Sequence, residues 1–185
     1  MGRWEPDARG RLRRAAMELY VERGFEQTTV AEIAARAGVT ARTFFRHFAD
    51  KREVLFAGSA QLQDALVQAL DAAPAGATPR EAVAAVLDVA AQFLGGHHGH
   101  SRARHSVITA NPELRERELI KMARLTAALA DGLRRRGLPE PDATLAAEAA
   151  GVVVRVAFER WVAGPGDTGL DTVMRETLGR LLSVA

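Results

Sequence analysis

Apolar residues recur along this chain at intervals of three and four, and no stretch alternates with the period of two that a half-buried strand requires. The pattern predicts helices throughout, about nine in all. The first runs from about Asp7 to Arg23 with Leu12, Ala16, Leu19 and Tyr20 inward, and Gly24 follows as a left-handed cap onto which Phe25 can fold. Thr29 to Glu32, "TVAE", is a capping box in which hydroxyl and carboxylate satisfy each other's backbone amides. It opens a short helix from Val30 to Ala37, stopped by Gly38. Val39 leads to Thr40, a fresh N-cap, so a third helix from Thr40 to Phe48 starts almost at once. A further box, Asp50 to Glu53, predicts a long fourth helix to about Leu70 with Leu55, Leu62, Leu66 and Leu70 as its spine.

Beyond the small-residue linker "DAAPAGAT", Thr78-Pro79-Arg80-Glu81 is another capping box with proline at the first helical position. It opens a helix carrying Val83, Val86, Leu87, Ala90 and Leu94, closed by Gly95-Gly96. A short helix is expected around Arg102 to Thr109. Asn111-Pro112 starts the next one, which ends in "RRRG" with cations in its last turn. From Asp142 to about Trp161 a helix rich in small residues runs into "VVVRVAF", and the last helix carries an apolar stripe from Leu170 to Leu182. Ala146, Ala150, Val153, Val173, Met174, Thr177, Leu178 and Leu181 would line a four-helix bundle across a two-fold axis. The other reading is that these stripes line the chain's own core.

The turn at Gly38 carries the functional signal. Two short helices joined so tightly cross steeply, which is the helix-turn-helix arrangement, and Ala34 supplies the small side chain that close crossing needs. On the third helix Phe44 and Phe48 are four apart and share a face with Val39, so they anchor it. The opposite side presents Thr40, Ala41, Arg42, Thr43 and Arg46, short or cationic groups suited to base edges in the major groove. His47, Lys51, Thr28 and Thr29 fall at helix ends, where phosphate contacts are expected.

Composition narrows the alternatives. Of 185 residues 48% are hydrophobic and 26% charged, which excludes a disordered chain. Cysteine is absent, so disulfides, thiolate zinc sites and cysteine redox sensing are excluded. The polar start "MGRWEPDARGRLRR" and the lack of any apolar run near the ~20 residues of a membrane span predict a soluble, cytoplasmic protein with no membrane partner. The net charge of +2 divides unevenly: eleven Lys/Arg against seven Asp/Glu through Arg52, fourteen against sixteen after it. A basic front on a mildly acidic body suits a polyanion.

The segment "TTVAEIAARAGVTARTFFRHFADKREVL" resembles the DNA-binding segment of TetR-type transcriptional regulators, a likeness covering about Ala8 to Phe56. Phe45 stands where that family more usually has tyrosine, so its expected DNA contact is van der Waals in kind. The resemblance implies an all-α homodimer: an N-terminal three-helix helix-turn-helix domain, residues 1–52, joined to a helical effector-binding and dimerisation domain, residues 53–185. It further implies a repressor of a palindromic double-stranded DNA operator, released by a small-molecule effector, with dimerisation through the last two helices. An activator of the same fold is the alternative. For the effector, Phe93, His105, Met122, Arg155, Phe158 and Trp161 are candidate pocket lining.

Two other classes compete. His97, His98, His100 and His105 suggest a metal-binding protein or enzyme, but the cluster is glycine-broken and has no matched carboxylates, so neither a metal site nor a cofactor is expected. Nucleophile–base pairs that would suggest catalysis are also missing. A helical adaptor using the C-terminal apolar stripe is the second rival. Arg155 within "VVVRVAF" reads as a buried cation, paired with Glu159 one turn on, with an anionic ligand or with the other subunit.

Overall fold

Nine helices account for the described residues, 7–184, of the computed structural model: α1 Ala8–Arg23, α2 Val30–Arg36, α3 Ala41–His47, α4 Ser59–Ala72, α5 Pro79–Leu94, α6 His98–Ala110, α7 Pro112–Arg135, α8 Glu140–Ala163 and α9 Leu170–Val184. The start signals operate as local chemistry requires. The Asp7 carboxylate accepts the Gly10 amide at 2.8 Å at the head of α1. Thr29 Oγ1 accepts the Glu32 amide at 3.2 Å while the Glu32 carboxylate accepts the Thr29 amide at 2.8 Å, and Thr78 and Glu81 repeat the box on α5. Gly38, at φ 68°, makes the turn between α2 and α3, a conformation any Cβ would strain.

One expected helix start is corrected. The Glu53 amide does donate to Asp50 at 3.0 Å, but residues 51–58 form successive turns and α4 begins only at Ser59. The cause lies in the carbonyls. Lys51 O accepts from the Tyr20 hydroxyl at 2.6 Å, Leu55 O from Arg104 Nε at 2.8 Å and Ala57 O from Arg9 at 2.8 Å. The Leu55 amide donates to Arg52 O, a one-residue-tighter bond than an α-helix makes. Elsewhere α6 starts four residues before the expected Arg102, at His98, and α8 starts at Glu140.

Two compact units result: residues up to Ala57 together with Ala103–Glu116, and Gly58–Arg102 together with Arg117–Ala185. This differs from the division expected after residue 52. In the first unit α1 and α2 pack with α3 around Leu12, Leu19, Phe25, Ile33 and Phe44, and Ile108 and Leu114 belong to the same core. Arg36 pairs with Glu22 at 2.9 Å and Glu18 at 3.4 Å, and Arg23 with Glu32 at 3.0 Å, so α2 is also tied to α1 by charge. These pairs are exposed and screened by water, so the apolar core carries most of the stability.

In the second unit α4 packs on α5, α8 on α9, and α5 on both α8 and α9. The core includes Leu66, Leu70, Val86, Leu129, Leu133, Ala147, Val153 and Met174. At Gly132 a Cβ would lie 2.5 Å from Leu70 Cδ2, so α7 approaches α4 at its glycine. Guanidinium groups close two helix ends: Arg136 donates to Leu70 O, Ala73 O and Pro74 O after α4, and Arg102 to Val162 O, Ala163 O and Gly164 O after α8. Among the described residues no helix is long and apolar enough to cross a membrane.

Candidate nucleic-acid interface

α3 has two sides of opposite chemistry. Phe44 is 0% exposed and Phe48, its C-cap, 4%, with ring centroids 5.6 Å apart, and they fix how the helix is turned. Thr40 caps the start, its Oγ1 accepting the Thr43 amide at 3.2 Å and sharing a hydrogen bond with the Thr43 hydroxyl at 3.1 Å. With the aromatics inward, Thr40, Ala41, Arg42, Phe45 and Arg46 are exposed and Thr43 is half-buried. Arg42, Thr43 and Arg46 line a cleft of about 360 Å³. Neither arginine has an acidic partner among the described residues, whereas Arg23, Arg36 and Arg52 are all ion-paired.

Other expected contacts are placed differently. Lys51 Nζ donates to Phe25 O at 2.8 Å, Thr28 O at 3.1 Å and Glu26 O at 3.2 Å, and sits 4.3 Å from the Phe25 ring centroid. Its three donors are occupied, so Lys51 is corrected from a phosphate contact to a latch on the loop between α1 and α2. Thr28 is 1% exposed and its hydroxyl donates to Gly24 O, while the Thr29 hydroxyl donates to Glu32. Thr28 is therefore corrected to a turn-forming residue, while Thr29 caps α2 and stays exposed. His47 is half-buried with Nε2 shielded and unpartnered among the described residues, which leaves Nδ1 for any phosphate. Burial pushes the Tyr20 phenol up, reinforced by nearby Asp50, so that hydroxyl stays protonated and holds Lys51 O.

Residues 12–57 match the family profile described as bacterial regulatory proteins, tetR family, and residues 77–185 match the MftR C-terminal domain. The transcriptional regulator BetI of Rhizobium meliloti is 33% identical over 157 residues, covering 81% of this chain and 75% of that protein. The chain belongs to the TetR family. TcmR of Streptomyces glaucescens is 44% identical over 75 residues, which span 40% of this chain but only 33% of that regulator. Among solved structures, the triclosan complex of SmeT, the Stenotrophomonas maltophilia multidrug-efflux repressor, matches with TM-score 0.70 at 21% identity over 96% of this chain and 90% of that one. NalD of Pseudomonas aeruginosa matches with TM-score 0.67 at 21% identity over 97% of each chain. Likeness at that identity establishes the fold.

In this TetR-family transcriptional regulator three of the expected pocket residues, Met122, Phe158 and Trp161, meet at the core of the second unit. Arg155 is exposed and pairs with Glu159 at 3.7 Å, which corrects its reading as a buried cation. Trp161 is 5% exposed with its indole N–H donating to Thr168 O, Phe158 lies 6.0 Å from it ring to ring, and Met122 is half-buried against the same core. Phe93 is 44% exposed beside Gly58, and His105 belongs to the first unit. A void of about 10 Å³ does occur in the second unit, but Leu70, Val83, Val86, Leu129, Leu133, Ala147 and Ala150 line it. His98 meets Trp161 O at 2.9 Å, and no three potential metal ligands converge among the described residues.

The residues expected at a dimer contact lie on or beside the core of the second unit. Ala150, Val153, Val173, Met174 and Thr177 are buried within this chain, and Ala146, Leu178 and Leu181 pack against the same core. The face of α8 turned to solvent instead carries Leu145, 69% exposed, and Val152, 41%, with Ala149 and Val156 half-buried between and after them. Their spacing of four, three and four makes a seam at heptad period. Buried and exposed apolar residues alternate around this helix, so a periodicity count merges them.

Proposed function

We propose that the chain is a homodimeric, ligand-released repressor that reads a palindromic operator with the outer face of α3. The carrying observation is that Arg42 and Arg46 stand exposed and, among the described residues, without acidic partners on a helix whose opposite side is locked by Phe44. Each guanidinium is free to grip a guanine edge bidentately, worth ~1–3 kcal/mol of discrimination against the wrong base pair. Thr40 and Thr43 add hydroxyl and methyl groups, and His47 Nδ1 a phosphate contact.

Two copies joined through Leu145, Ala149, Val152 and Val156 of α8, with Gly179 and Leu182 on the exposed side of α9, would present two readers to two half-sites. An effector would act on the second unit. The triclosan bound by SmeT supports a small molecule there. Such an effector would bind the DNA-incompetent arrangement more tightly than the competent one and draw the population towards it. Repression from the cytoplasm fits this scheme.

Selecting bound duplexes from a random pool with the full chain tests the proposal. An inverted repeat with half-site centres ~34–36 Å apart, or a multiple of that, is expected. Recovery of no shared sequence would overturn it.

A further inference from the structure

Phe45 is left in water by a helix that buries its other aromatics. It is 59% exposed, against 0% for Phe44 and 4% for Phe48. Its ring is not loose, because it stands edge-on to Phe44 at 5.5 Å between centroids and 83° between planes. Ala41, one turn earlier and also exposed, lies beside it, so α3 carries an apolar edge next to Arg42 and Arg46.

The cations decide what covers this edge. A second copy of the chain would bring its own Arg42 and Arg46 against them, whereas a polyanion complements both. In the major groove the apolar group offered by a base edge is the thymine 5-methyl, for which alanine and phenylalanine are suitable partners. With no hydroxyl, Phe45 can donate no hydrogen bond to a phosphate.

We infer that Ala41 and Phe45 form a methyl-reading edge that requires a thymine in each half-site, beside the base pairs gripped by the arginines. The inference rests on the DNA-binding reading of α3 and adds to it a specificity that hydrogen bonding does not supply.

The test takes the selected operator and replaces each thymine in turn with deoxyuridine, which keeps pairing and removes only the methyl. Binding of the full chain is measured by fluorescence anisotropy. One position per half-site should weaken binding about fourfold, the ~0.8 kcal/mol of a buried methyl-sized group, and about sixteenfold when both half-sites are changed. Phe45→Ala should bind the thymine and deoxyuridine duplexes equally, with only a small drop in melting temperature from the lost edge-on contact with Phe44. Phe45→Tyr, which keeps the ring, should retain the fourfold difference. Tight binding with no methyl dependence at any thymine overturns this inference and leaves the DNA-binding reading intact. A methyl effect that survives in Phe45→Ala overturns it too, assigning the methyl to another residue. Loss of all sequence-selective binding by the wild-type chain would remove the DNA-binding reading and the inference together.

Discussion

α3 and α8 are both helices with apolar and charged residues on several sides, yet they resolve that mixture differently. α3, Ala41–His47, has one way to bury Phe44, and doing so turns Arg42 and Arg46 outward. α8, Glu140–Ala163, is apolar on most of its circumference, burying Ala143, Ala147, Ala150, Val153, Val154, Ala157 and Trp161 while leaving Leu145 and Val152 in solvent. A short helix with two aromatic anchors states its orientation; a long one is oriented by the helices it meets. On α8 the core faces α5 and α9, and Leu145 and Val152 stay exposed on the opposite side.

Adjacent residues on α8 give the sharpest way to break this contrast. Val153→Glu places an unpaired charge at a 0% exposed position and should cost ~5 kcal/mol, unfolding the chain. Val152→Glu should leave the melting temperature of the monomer nearly unchanged, while sedimentation shows the dimer lost and inverted-repeat binding goes with it. Equal effects of the two would mean that the two faces are not distinct. Next in size is Lys51→Ala, which removes a cation from three carbonyls and should lower stability by ~2 kcal/mol. The slope of log affinity against log salt should stay as it was, since no phosphate contact is lost; a slope shallower by ~0.9 would return Lys51 to the DNA contacts.

The smallest expected effect concerns the cap of α2. The Thr29 amide and then its hydroxyl hold the Glu32 carboxyl below its usual range. A lowered folded-state value means the ionised form stabilises the fold above the ordinary carboxylate range, and that contribution fades as pH falls through the lowered value. Subtracting Glu32→Gln stability from wild-type stability across the acid range should isolate this fading. A flat difference would show the box contributes nothing to pH dependence.

Much of the first unit was legible because its signals are local. The Thr29–Glu32 box, the Gly38 turn and the Phe44–Phe48 spacing each lie within a few residues, and the caps form as the spacing predicts. The delayed start of α4 was not legible, since Tyr20, Arg9 and Arg104 reach the relevant carbonyls from 31, 48 and 49 residues away. Lys51 was misread for the same reason: nothing beside it in sequence announces the carbonyls of Phe25, Glu26 and Thr28. Arg155 looked buried from its valine neighbours, but a helix rotates 100° per residue and places it on the outer side with Glu159. The candidate effector residues carried no spacing signal of their own, and Met122, Phe158 and Trp161 fall in or against the apolar core of the second unit.

The central claim is that the outer side of α3 reads base pairs, and parallel selections with the wild-type chain and Arg42→Ala test it most directly. The account predicts the same inverted repeat from both, with the preference at one G·C pair per half-site relaxed in the variant by the equivalent of ~1–3 kcal/mol. A variant that binds every sequence more weakly by one common factor would contradict it, reducing Arg42 to a contact with the phosphate backbone.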